Sequence, residues 1–137
     1  MEFKDYDKLP EEAVLIRTKV FVDEQGFNEE FDNTDQCSKH IIIFDNEAPV
    51  AVGRFFTDDG KTYHIGRVAV TKEFRSFGYG KKIMDIAEKE IKKSGGKIIE
   101  LSAQLQAKKF YEKCGYTATG DIYLDEHCEH ILMYKNL

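Results

Sequence analysis

The chain has only two prolines and three cysteines among its 137 residues, and it has neither an excess of basic residues nor a long apolar run. Each shortage removes a class of protein. So few prolines leave little room for a linker, and the expectation is a single domain spanning 1–137. Cys37, Cys114 and Cys128 are odd in number, widely spaced and without a C-x-x-C pair. Free thiols in a reducing compartment have this pattern, which gives a cytoplasmic reading without a disulfide framework. A formal net charge of −5 offers no electrostatic footprint for nucleic acid or an anionic membrane. The opening MEFKDYDKLPEEAVLIRTKVF lacks the uninterrupted apolar core of a signal peptide, and no stretch is long enough to span a bilayer. Neither secretion nor anchoring is expected.

What is present is a balanced globular composition, 42% hydrophobic and 33% charged, enough for a core that needs no metal or disulfide. Pro10 followed by Glu11 and Glu12 opens a helix whose apolar stripe runs through Ala13, Ile16, Val20 and Phe21. Residues 23–38 are acidic and aromatic without a period, so they are read as a loop or short helix. His40-Ile41-Ile42-Ile43-Phe44 and 50–56 form a hairpin, and 62–71, rich in β-branched residues, adds a third strand. The period then changes to helical through Ile83, Met84, Ala87 and Ile91, ending at Gly95-Gly96. A strand at 97–103, a helical stretch at 104–113 and an antiparallel pair at 116–124 and 130–135 complete the order. The mixture predicts an α/β (α+β) fold, a central mixed sheet flanked by helices.

The strongest local signal is Arg75-Ser76-Phe77-Gly78-Tyr79-Gly80, placed between the strand Val68-Ala69-Val70 and an amphipathic helix. A pyrophosphate needs converging N–H donors, and the free amides of a helix N-terminus supply them with a favourable dipole. Gly78 and Gly80 remove Cβ atoms that would block close approach, while Arg75 and Lys81 or Lys82 add positive charge. No G-K-[ST] follows, as a P-loop would require, and Ile83 stands where a third dinucleotide-motif glycine belongs.

These residues resemble the GNAT superfamily of acyl-coenzyme A acyltransferases. Val68-Ala69-Val70 with Arg75-x-x-Gly78-x-Gly80 is similar to its coenzyme-binding signature, and Gln104-x-x-Ala107-x-x-Phe110-Tyr111-Glu112-Lys113-x-Gly115-Tyr116 to its second one. Gln104 stands where many relatives have asparagine. Arg17-x-x-Val20-Phe21-Val22-x-Glu24-Gln25, His40 and Asp125-Glu126-x-x-x-His130-x-x-Met133 resemble the ElaA-like branch. The resemblance implies a mostly antiparallel sheet whose splayed strand pair holds coenzyme A, with acetyl-coenzyme A as co-substrate. It also implies that Tyr111 is the general acid at the sulfur, and that Val68–Val70, the 75–81 turn, Gln104, Ala107 and Phe110 contact the coenzyme.

The acceptor side is less determined. Glu24 is the first choice for the general base, with Glu126 and His130 as alternatives. Arg54 and Arg67, on neighbouring predicted strands, are expected to bind an anionic part of the acceptor, while Glu24, Glu29, Glu30, Asp32 and Asp35 would attract a cationic amine. No metal is expected, because His127 and His130 stand three apart in a turn and strand and not on one helix face. The expected activity is N-acetyl transfer to an amine of a small molecule or peptide, by a monomer or a homodimer. Two alternatives stay open: a non-catalytic acyl-coenzyme A-binding module, and transfer to a homoserine-type acceptor, since Arg17-x-x-Val20-Phe21 also resembles autoinducer synthases.

Overall fold

The computed structural model describes residues 2–137, arranged around one seven-stranded sheet of order β1-β2-β3-β4-β5-β7-β6. The strands are β1 (Glu2–Tyr6), β2 (Lys39–Asp45), β3 (Ala48–Thr57), β4 (Thr62–Val70), β5 (Ile98–Gln104), β6 (Thr117–Asp125) and β7 (Cys128–Asn136). All neighbours pair antiparallel except β4 and β5. The expected mixed, mostly antiparallel sheet is therefore the one observed. β1 was not foreseen. Its side chains are mostly exposed and carry no apolar alternation, so only its backbone ladder to β2 defines it.

Alternation along β2 divides the core. Ile41 and Ile43 face α2 (Tyr79–Lys93), whose Ile83, Met84, Ala87 and Ile91 are fully or almost fully buried. Ile42 faces the other way with Val52 and Ala69, against Ala13 and Ile16 of α1 (Glu11–Arg17). The two sheet faces thus carry separate apolar clusters under separate helices. α1 continues as a π-helical turn, Thr18–Glu24, that carries Val20 and Phe21. Wide turns of this kind recur at functional sites because they re-aim side chains that an α-helix would place elsewhere.

Two irregularities open the sheet. β4 and β5 are in register only from Thr62↔Ile98 to His64↔Glu100, after which they diverge. β5 stays paired with β7 to its end, at Gln104↔His130, while β4 stays paired with β3. Between Val52↔Ala69 and Arg54↔Gly66, β4 holds one residue more than β3, and Arg67 within that bulge has φ of 52°. A bulge bends its strand and increases local twist, which turns 68–70 away from β5.

The segment 23–38 folds over this opening through buried charge. It contains the short 3₁₀ turn Asn33–Cys37. Arg17, fully buried, donates from Nη1 to Asp35 Oδ1 at 2.7 Å and from Nε to Glu30 Oε2 at 2.9 Å. Arg54 reaches the same Asp35 oxygen at 2.8 Å and Asp32 Oδ1 at 2.7 Å. Arg67 pairs with Glu30 at 3.0 Å. Arg54, expected to contact an acceptor, is therefore buried in a structural ion-pair network, and it is not an exposed strand arginine. His40 joins the network, its Nε2–H donating to the Asp35 carbonyl at 2.9 Å. A second tie comes from Glu126 in the β6–β7 turn, whose carboxylate accepts the backbone N–H groups of Asn28 and Glu29 at 2.9 Å.

Burial pushes the Asp35 carboxyl up, but hydrogen bonds and charge from Arg17 and Arg54 overcome it and hold the group at about 2, below the ordinary 3.8. A depressed folded pKa stabilises the fold above the unfolded value, and that contribution is lost as pH falls from about 3.8 towards about 2. Acid titration followed by circular dichroism is expected to show this loss. Asp35→Asn leaves two buried guanidinium groups short of charge and should cost about 3–5 kcal/mol in urea unfolding at neutral pH. For Glu126→Ala, hydrogen exchange is expected to speed up at the Asn28 and Glu29 amides while those of α2 stay protected. Unchanged exchange at residues 28 and 29 would mean that the carboxylate does not hold this loop.

Candidate active site

The wedge between the diverging strands is a cavity of about 450 Å³. Its walls include Val68, Ala69 and Val70 of β4, Gln104 at the end of β5, and Phe110 and Tyr111 of α3 (Lys108–Lys113). Arg67, Arg75, Gly80, Ala107, Glu126 and His130 line it as well. The two sequence signatures, distant along the chain, thus meet at one opening.

At one end stands the N-terminus of α2. Gly78, the residue before its first turn, has φ of 80°, a left-handed conformation that a side chain would strain. A Cβ at Gly80 would approach Phe110 to 3.3 Å, so glycine lets α2 lie against α3 at the cavity edge. Ser76 also has positive φ, and the first backbone donor engaged by the helix is Lys82, bonded to the Gly78 carbonyl. The N–H groups of Tyr79, Gly80 and Lys81 have no protein acceptor among the described residues, as helix geometry requires. These amides and the Arg75 guanidinium make an anion cradle. Ser76, Phe77, Gly78, Tyr79 and Lys81 form its outer turn and do not line the cavity. Tyr79 donates to Asp45 at 2.6 Å, Lys81 pairs with Asp85 at 3.1 Å, and Phe77 is largely exposed.

The β4 edge offers further donors and acceptors. Thr71 N–H bonds the Val50 carbonyl, so in the antiparallel ladder the N–H and C=O of Val70 point away from β3, towards the opening. Arg75 Nε donates to this Val70 carbonyl at 3.0 Å. Such an edge suits an extended chain carrying amide groups, and with the α2 amides it fits the phosphate and pantetheine parts of coenzyme A.

Tyr111 is half-buried, packed edge-on against Phe110 and Tyr116. Burial pushes its phenol well above the ordinary range. The group therefore stays protonated and available as a donor at neutral pH.

Glu24, expected as the base, lies outside the cavity wall and is the counterion of Arg75, with Oε1 2.8 Å from Nη2. Glu126 lines the cavity, but backbone hydrogen bonds from Glu29 and Asn28 hold its carboxyl below the ordinary value, which makes it a poor base. His130 differs. It is only 6% exposed, and its Nδ1–H donates to the Cys128 carbonyl at 3.0 Å. That bond selects the tautomer with a lone pair on Nε2, which has no protein partner among the described residues and is not sealed in the interior. Phe27 and Tyr123 flank the ring.

Glu30 lines the cavity too; burial pushes its carboxyl up against the pull of Arg67 and Arg17. Sequence reading placed Glu30 in an acidic run, named Gln25 and Asp125 only within the ElaA-like resemblance, and did not mark out Phe27 or Ser102; all five line the cavity. Gln25 binds Gln104 at 2.7 Å across 79 positions, a pairing that neither sequence neighbourhood signals. Among the described residues no group of three or more His, Cys, Asp or Glu side chains is placed to hold a metal ion, and no helix is long and apolar enough to cross a membrane.

The geometry has counterparts among known proteins. The uncharacterised N-acetyltransferase YjcF of Bacillus subtilis is 38% identical over 128 residues, covering 91% of this chain and 91% of its own. The crystal structure of Escherichia coli ElaA superposes with a TM-score of 0.86 at 25% identity, covering 98% of each chain. An aminoglycoside 6'-N-acetyltransferase complexed with coenzyme A, 15% identical, shares the fold with a TM-score of 0.80 over 99% of this chain and 97% of its own. The family model for the acetyltransferase (GNAT) domain matches residues 6–137, and the chain accordingly belongs to the GNAT acetyltransferases and is an acyltransferase.

Proposed function

We propose that the protein transfers an acetyl group from acetyl-coenzyme A to the amine of a small molecule or peptide. The observation that carries this reading is one cavity that joins an unpaired β4 edge and the Tyr111 phenol and reaches the free amides of the α2 N-terminus at Gly80. The cradle would take the pyrophosphate, and the β4 edge around Val68, Ala69 and Val70 would take the pantetheine amides. Arg75 is then the cation at the junction, and releasing it from the Val70 carbonyl frees an acceptor for the coenzyme.

Acetyl-coenzyme A supplies the activated acyl carbon. A backbone N–H of the β4 edge polarises the carbonyl. His130 Nε2 takes a proton from the attacking amine, a role its tautomer supports and the pairing of Glu24 with Arg75 does not. One C–N bond forms and one C–S bond breaks; the sulfur receives a hydrogen bond and then a proton from Tyr111. Among the structural relatives an aminoglycoside acetyltransferase carries the same fold, which supports an amine as the acceptor class.

Thiol release from acetyl-coenzyme A across an amine panel tests the activity. Release with at least one amine is expected, and none from a folded protein that binds coenzyme A would instead favour a binding module. In Tyr111→Phe, kcat should fall about 10- to 100-fold while the coenzyme dissociation constant stays within about twofold. Equal losses in both would move Tyr111 from proton donor to binding contact. For His130→Gln, kcat is expected to drop about a hundredfold while the coenzyme dissociation constant stays within about twofold. An unchanged kcat would remove His130 as the base.

A further inference from the structure

Two carboxylates at the cavity rim have no part in this scheme. Glu29 and Asp125 both line the cavity, both are exposed, and neither carboxylate has a hydrogen-bond or ion-pair partner among the described residues. They come from segments almost a hundred positions apart, brought together because Glu126, next to Asp125, accepts the backbone N–H groups of Asn28 and Glu29. Their neighbours are already satisfied: Glu30 by Arg17 and Arg67, Glu126 by the backbone. Arg67 is the cation at this end, and it is neutralised by Glu30 and Asp32. The rim therefore presents uncompensated negative charge to whatever enters.

A second, independent observation lies deeper. His130 is more than nine-tenths buried, lines the same cavity, and leaves Nε2 without a protein partner. That nitrogen is open to the cavity, so it can accept an N–H or O–H from a bound ligand. Phe21 and Phe27, buried and also on the cavity wall, supply apolar surface at the same end.

Resting on the acetyl-transfer reading above, we propose that the acceptor is a dicationic amine. Its reacting nitrogen meets His130 Nε2, its apolar spacer lies on Phe21 and Phe27, and its second ammonium sits between Glu29 and Asp125. The rim selects for the second positive charge and against amines that carry a carboxylate, which the same two groups would repel.

Calorimetric titration of alkane diamines, against monoamines of equal chain length, into the protein with and without coenzyme A reads this directly. A diamine is expected to bind about tenfold more tightly than its monoamine, with the preference shrinking as salt rises. The double variant Glu29→Gln with Asp125→Asn, at exposed positions, should lose that preference. Equal affinity for diamine and monoamine in the wild type, or a preference that survives the double variant, would overturn the proposal. Thiol release in parallel separates the two readings. Diamine preference without release from any amine supports the rim subsite and sinks acetyl transfer; release without diamine preference does the reverse.

Discussion

The buried ion-pair network centred on Arg17 is the constraint on which the site depends. Its guanidinium is fully buried and binds Asp35 and Glu30, while Arg54 of β3 and Arg67 of β4 bind the same carboxylates from the sheet side. One cluster thus joins α1, the 23–38 segment and two strands. Its charges are costly to bury and repay that cost only when every partner is present. The acidic segment has no apolar period to dock it, so this all-or-none demand gives it a single position over the cavity.

The same network accounts for the opening itself. Arg67 holds a left-handed backbone conformation that an arginine adopts only under constraint, and its side chain is anchored to Glu30 by an ion pair and by a bond to the Glu30 carbonyl at 3.2 Å. The bulge it occupies bends β4, β5 keeps its partner β7, and the two strands part after three residue pairs. A strand edge that would otherwise be zipped to its neighbour is left free for a ligand.

Much of this was legible in the sequence where the signal is local. The turn at 75–80, the helical period of α2 and the apolar run of β2 depend on near neighbours and were readable as such. Tyr111, Gln104 and Phe110 were placed by resemblance, and the fold brings them to the cavity. Glu24 looks available in the sequence because it follows an apolar helix, and its partner Arg75, 51 positions away, becomes visible only in the fold. The burial of Arg54 was hidden for a related reason. Burial of a strand arginine depends on Asp32 and Asp35 folding over it, and an aperiodic acidic run gives no sign of where it will land. The Glu126 clasp, across 98 positions, and the exposed edge strand β1 are invisible to any windowed pattern.

The proposed transfer needs one proton donor and one proton acceptor, and the surroundings of Tyr111 and His130 suit one role each. Tyr111 sits in an apolar cluster that disfavours the phenolate, so it keeps its proton at neutral pH. A phenol so placed keeps its proton in the resting site, and the proposed transfer asks it to release that proton only as negative charge builds on the sulfur. Across the cavity, the Cys128 carbonyl fixes the His130 tautomer and leaves Nε2 as an acceptor. The donor lies beside α2 and the coenzyme cradle, and the acceptor lies beside the acidic rim. The cavity wall carries Gly80 and Arg75 of the cradle together with the carboxylates of Glu29, Asp125 and Glu126. On the proposed reading the α2 cradle receives the anionic coenzyme and the carboxylates receive a cationic amine, each through opposite charge.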